Sequence, residues 1–294
     1  MTQRREPQQR WVDTATIKLH YWEWPGEEPA LFCLHGLTAN GRCWDALAER
    51  LGQRLLAVDL RGRGLSDKPP PGQYGLQRHA QDMVDLLHAL RLDSVIAIGW
   101  SMGAWIAARL AADHPALVSQ MVLIDGGYFE EQATEAQVRT QLAAALQRLT
   151  LVFPSRQSYV DYWKQMPYVQ PWTEHFERYL AADLEERPDG SVVSRVSAGG
   201  VEEDFLSLFR MRETWSQTVR QVRVPALVLW APLGLADPRL PLFPHHALQQ
   251  LTALLPQGRL ITIEGANHYT IVFSPHSLSQ VIVALTDFLK FLQA

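Results

Sequence analysis

Six short apolar runs punctuate the chain: Leu31–Leu34, Leu55–Val58, Val95–Ile98, Met121–Ile124, Ala226–Leu229 and Leu260–Ile263. Each is continuous or nearly so, without a polar residue at every second position. Runs of this kind predict strands buried on both faces of a parallel sheet. Between them the apolar spacing turns helical, as at Trp44, Leu47 and Leu51 and at Met83, Leu86, Leu87 and Leu90. The clearest helix comes last, where Leu278, Val281, Ile282, Leu285, Phe288 and Leu289 form one stripe. Ser274 and Pro275 before it suit an N-cap and a first helical position. Near the start, Ile17, Leu19 and Tyr21 alternate with Lys18 and His20, which predicts an antiparallel edge strand. The more polar stretch with Arg4, Arg5 and Arg10 is expected to be a frayed tail.

Strands alternating with helices predict an α/β fold, a mostly parallel, doubly wound sheet covered on both faces. The alternation stops between about Gly127 and Val222. That stretch is helical in pattern, rich in aromatics and far too long for a loop. It predicts an inserted helical cap over 127–222 on a core formed by 1–126 and 223–294. Most of its aromatics must form the cap's own core. A minority should face a ligand cleft, and Trp163, Tyr168 and Trp172 are the candidates, with Trp100 below them.

Composition narrows the function. The 294 residues are 47% hydrophobic and carry a formal net charge of -4, which argues against general nucleic-acid binding. No apolar run approaches the ~18 residues needed to span a membrane, and no signal-peptide pattern opens the chain. Two cysteines, Cys33 and Cys43, are too few for a disulfide framework, so a cytoplasmic setting is expected. His245 and His246 are adjacent and would not point at one metal from a regular element; no metal is expected. Gly62-Arg63-Gly64 follows a strand, but Asp67 stands where a dinucleotide fingerprint needs its third glycine, and no cofactor is expected.

Gly99-Trp100-Ser101-Met102-Gly103 fits Gly-x-Ser-x-Gly and sits between a strand run and a helix-like stretch. Such a turn would lift the Ser101 hydroxyl above the strand ends and aim the next helix's N-terminus at the reacting oxygen. A serine nucleophile needs a base. Of ten histidines, only His268 lies between the last strand and the last helix. A third group must orient it. Asp237, in Gly234-Leu235-Ala236-Asp237-Pro238, follows the strand at 226–229, and Asp125 directly follows the strand at 121–124. The backbone N–H groups of Met102 and Leu37 are the candidate oxyanion donors.

On Leu34-His35-Gly36, Asp59 to Asp67, Gly99 to Gly103, Pro225 to Leu229 and Asn267-His268, the chain resembles the α/β-hydrolase superfamily of esterases and lactonases. The likeness covers about two-thirds of the chain, the core at its two ends. The resemblance implies the order Ser101, Asp237, His268, with Asp125 the alternative acid. One departure stands out: Trp230-Ala231-Pro232-Leu233 precedes Gly234-x-x-Asp237, where the family places the acid motif directly at the strand end. The expected activity is cleavage of a small-molecule substrate, a neutral or apolar carboxylic ester or lactone, through an acyl-enzyme. Carbon–carbon hydrolysis, amide cleavage, perhydrolysis, acyl transfer and a non-catalytic receptor role are the alternatives, because fold and triad do not fix a substrate.

Overall fold

The computed structural model of the chain describes residues 5–128 and 134–291. One sheet holds eight strands in the order β1-β2-β4-β3-β5-β6-β9-β10. These are β1 (Gln8–Asp13), β2 (Lys18–Trp24), β3 (Glu27–Leu34), β4 (Gln53–Asp59), β5 (Val95–Trp100), β6 (Val118–Ile124), β9 (Ala226–Trp230) and β10 (Arg259–Thr262). The pairs β1–β2 and β2–β4 are antiparallel, and all the others are parallel. Each of the six apolar runs falls on one of these strands, although β10 stops at Thr262, before Ile263.

Alternation along the strands divides the core. Leu31 and Cys33 pack on one face with Ile98, Leu227 and the stripe of α10 (Pro275–Phe291). Phe32 and Leu34 pack on the other with Met83, Leu87, Ile106 and Leu110, from α2 (Leu76–Ala89) and α3 (Met102–Asp113). Both faces are covered, which is why these strands read as continuous apolar runs. The helical pattern at 44–51 collapses to one short turn and α1 (Asp45–Ala48).

The polar start is not frayed where it is described. Gln8–Asp13 is the true edge strand, paired residue for residue with β2. Its side chains are almost all exposed, so it is held mainly by backbone hydrogen bonds, and Trp11 and Val12 make too short an apolar pattern to mark a strand.

Between β6 and β9 lie α4 (Glu135–Leu149), α5 (Arg156–Lys164), α6 (Glu174–Asp183), the hairpin β7 (Leu184–Glu186) and β8 (Val192–Ser194), and α7 (Ala198–Val219). The expected boundary near Gly127 adjoins residues 129–133, which lie outside the described set. At its far end the insert merges with the core, since Leu208, Trp215 and Val219 of α7 join the α2–α3 side. The Trp215 indole donates to Gly127 O (2.8 Å). Helix α8 (His245–Leu254) follows β9, and α9 (Thr270–Phe273) precedes α10. Among the described residues, no helix is long and apolar enough to cross a membrane.

The Asp59–Asp67 loop ties the core to the insert. The Asp59 carboxylate accepts from Gly41 N–H (2.7 Å), Leu65 N–H (2.9 Å) and His20 Nδ1 (2.8 Å). Gly64 has φ +51°, and a Cβ there would overlap that carboxylate. Arg61 grips Asp82 with two nitrogens (2.6 and 2.5 Å). Arg63 donates to Leu37 O (3.0 Å) and lies 2.5 Å from Asp204 of α7. Burial opposes the Asp204 charge, but His79 and Arg63 prevail and hold its pKa down to about 2.

Gly103, on the first turn of α3, is packed so closely that a Cβ would overlap the carbonyl of Leu34. Gly103→Ala should therefore cost about 3 kcal/mol or more of stability, because backbone rather than a flexible side chain must move. The urea midpoint, compared with that of an exposed control such as Gly199→Ala, where a Cβ meets nothing within 4 Å, checks this.

Candidate active site

Ser101 sits between β5 and α3 with φ 53° and ψ −123°, a left-handed conformation costly for a residue with a Cβ. Its N–H donates to Ile124 O (3.0 Å), and its carbonyl accepts from Ala104 N–H (2.9 Å). Space for the turn comes from neighbouring glycines. A Cβ on Gly36 would lie 3.1 Å from Ser101 Cβ and 3.6 Å from its Oγ. A Cβ on Gly126 would lie 2.5 Å from Ser101 O. Ser101 itself is half-buried.

The loop after β3 is fixed by His35, which is wholly buried. Its Nε2 accepts from Leu60 N–H (3.0 Å), so Nδ1 carries the proton and donates to Gly36 O (2.7 Å). Gly36 O also accepts from Ala39 N–H (3.2 Å). With that carbonyl pinned, the Leu37 N–H of the same planar peptide must point the opposite way. Arg63 holds the next carbonyl, Leu37 O. Met102 is the first residue of α3, where backbone N–H groups lack intrahelical acceptors.

His268 lies in the turn between β10 and α9. Its Nδ1 donates to Asp125 Oδ2 at 2.7 Å. The other oxygen of Asp125 accepts from Ala231 N–H (3.2 Å), and Asp125 N–H donates to Leu229 O (2.8 Å). Asp125 is fully buried and has φ 42°. The geometry corrects the expected acid: Asp237 does not reach His268, and the alternative, Asp125, does. Asp237 instead forms an ion pair with Arg239 (2.7 Å) on the turn after β9, where its carboxyl is held below the usual range. The extra Trp230-Ala231-Pro232-Leu233 explains this. Trp230 O accepts from Ile263 N–H (2.9 Å) and Leu233 N–H donates to Ala266 O (2.9 Å). These residues carry the strand pairing onward and deliver Asp237 to a turn beyond the sheet.

Trp100 is 2% exposed, so it supports the site instead of facing a cleft. Its indole donates to His268 O (3.0 Å), with ring centroids 5.3 Å apart. Trp163 and Tyr168 both pack on Tyr269, next to His268, at 6.0 and 5.2 Å between centroids. Trp163 is buried and Tyr168 half-buried. Trp172 sits one ring further out, edge-on to Phe176, with its indole donating to Glu177. Sequence reasoning missed Asn267 and Tyr269. Asn267 accepts from Tyr269 and Thr270 N–H groups (2.9 Å each) and donates to Tyr168 O (2.9 Å), holding the 168 segment over the histidine turn. Its signal was adjacency to His268; its partner 99 residues earlier had none. Among the described residues, no cluster of three His, Cys, Asp or Glu could hold a metal ion.

Burial lowers the His35 pKa to about 4. Between its unfolded value near 6.5 and that value, the unfolded chain binds more protons. The His35 contribution to stability is therefore lost as pH falls through this window. Imidazole NMR shifts for His35 should stay those of the neutral ring from pH 8 to 5. A midpoint near 6.5 in the folded protein would contradict the buried arrangement.

Comparison with known proteins fits this architecture. The family profile described as alpha/beta hydrolase fold matches residues 29–275. A 2-(acetamidomethylene)succinate hydrolase of Mesorhizobium japonicum is 29% identical over 95% of each chain. An N-formylmaleamate deformylase of Pseudomonas putida is 39% identical over 39% of this chain and 43% of that protein. A crystal structure of E-2-(acetamidomethylene)succinate hydrolase superposes with a TM-score of 0.81 at 26% identity, covering 97% of this chain and all of that one. With five-sixths of its length matched by the profile and the sheet order in place, the chain belongs to the α/β-hydrolase family.

Proposed function

We propose that this hydrolase cleaves a carboxylic ester or lactone through an acyl-enzyme on Ser101, with His268 as base and Asp125 as the acid. The observation that carries the reading is the 2.7 Å bond from His268 Nδ1 to Asp125. It leaves Nε2 as the basic nitrogen, in a turn fastened to Trp100, the residue before the serine. The Ser101 hydroxyl attacks the carbonyl and passes its proton to Nε2. His268 returns it to the leaving group, and Asp125 stabilises the imidazolium. The oxyanion is received by the N–H groups of Leu37 and Met102. The first peptide is oriented by His35 and the second heads a helix. The segment between β6 and β9 serves as the cap, its Tyr168 and Trp163 backing the substrate side of Tyr269.

An amide-type acyl bond is a second reading. It is favoured by the names of the relatives at 29% and 39% identity, an acetamidomethylene compound's hydrolase and a deformylase of a maleamate. The same serine chemistry serves either bond, with nitrogen leaving in place of oxygen.

Purified protein should hydrolyse short-chain chromogenic esters, and an organophosphonate should label Ser101. Ser101→Ala should abolish both in a folded protein. Asp125→Asn should lower kcat by about three to four orders of magnitude, as expected when a buried acid no longer sets the histidine tautomer. Asp237→Asn should stay within about twofold, as for an exposed charge. Equal losses in the two Asn variants, or turnover by Ser101→Ala, would overturn the assignment.

A further inference from the structure

Resting on the reading of Ser101 and His268 as the reaction centre, we propose that Arg148 of α4 is a carboxylate-binding residue and that the substrate carries a free carboxylate. Arg148 is 7% exposed. Its guanidinium lies over the Trp163 ring at 4.8 Å from the centroid. Among the described residues it donates no hydrogen bond, and no carboxylate comes within ion-pair distance. The other buried arginines behave differently. Arg61 is matched to Asp82 and Arg63 to Asp204, at 2.5 Å each. A guanidinium taken out of water without an acceptor is costly, and one aromatic face offsets only part of that cost.

The position is as telling as the missing partner. Trp163, on which Arg148 rests, is packed against Tyr269, the neighbour of His268. Its charge is felt by Tyr159, Tyr269, Asp183 and Tyr179. Asp183 is the nearest candidate for a counter-ion, but its carboxyl is engaged elsewhere. It accepts from the Tyr159 hydroxyl (2.5 Å) and the Ser194 hydroxyl (2.9 Å), and burial raises its pKa to about 6. Asp183 feels the Arg148 charge, but its oxygens bond to these two hydroxyls and not to the guanidinium. A guanidinium stacked on an indole still presents its N–H edge, which matches a carboxylate through two parallel hydrogen bonds. One negative charge balances this one cation. The aromatic walls accept the apolar part of the molecule, and Arg148 selects for the charged end.

The test compares two 4-nitrophenyl esters that share a five-carbon acyl chain. One is mono-4-nitrophenyl glutarate, with a free carboxylate, and the other is its neutral methyl ester. Wild-type protein should prefer the anion in kcat/KM by about 10- to 100-fold, the scale of a charge-assisted hydrogen-bonded pair. Glutarate should inhibit hydrolysis of the neutral ester, and glutaramide should not. In Arg148→Met, which keeps length and contact with Trp163, the preference and the glutarate inhibition should both collapse. Arg148→Lys should restore part of each, and thermal unfolding shows whether the variants fold. If Arg148→Met does not fold, the wild-type preference and the glutarate inhibition decide. A neutral ester turned over as well as the anion, with no glutarate inhibition, would overturn this inference alone. No turnover of either ester, with no labelling of Ser101, would overturn the underlying reading of the site.

Discussion

Three stretches of backbone meet around Ser101 at distances that leave little or no room for a side chain. Gly36 comes from the loop after β3, Gly99 and Gly103 flank the serine, and Gly126 follows β6. A Cβ on Gly99 would overlap the Gly103 carbonyl, and one on Gly103 would overlap Leu34. The close approach leaves the chain one way through the turn, with Ser101 at φ 53°. Such strain persists only where the surroundings over-determine it. Here the determinants are the parallel pairing of β3, β5 and β6 and the helix packed directly behind them.

From that point the polar network follows. The sheet order reverses around β3, with β4 on one side and β5 on the other, so the crevice at the carboxyl ends opens there. His35 spends both ring nitrogens on backbone groups. Asp125 spends its two oxygens on Ala231 N–H and His268. Trp100 holds the His268 carbonyl from below. Leu60, His268, Ala231 and Asp125 are brought together from distant parts of the chain by these bonds, and such networks specify a single arrangement.

The insert adds a second polar system in an aromatic setting. Trp163, Phe176, Tyr179 and Tyr269 interlock, mostly edge to face, and Phe273 of α9 joins them. Asn40 donates to Tyr179 O (3.2 Å) and Asn267 to Tyr168 O (2.9 Å), so two core loops grip the insert by its backbone. Arg63 and Asp204 clamp its last helix near the Leu37 loop. The insert is thereby positioned by the same loops that carry the site.

The parallel strands, the serine turn and the histidine loop were legible in the sequence because each is a local pattern. Doubly buried strands make continuous apolar runs, and a tight turn needs its glycines at fixed offsets. The edge strand Gln8–Asp13 was not legible, because its side chains are mostly polar and exposed and backbone pairing supplies most of what holds it. Nor was the choice between Asp125 and Asp237. Both follow a parallel strand, and only the onward pairing of Trp230 and Leu233 with the Ile263–Ala266 segment carries Asp237 away. Trp100 and Trp163 looked like candidates for a cleft wall, and burial turned the first into a support for His268. Arg148 had no sequence signal at all, since a charged residue on a helix usually faces solvent. What the sequence determined by itself was every feature set by neighbours within a few positions. What the tertiary structure decided was which distant groups share a buried space, because burial and hydrogen-bond pairing belong to the packed chain and not to its order.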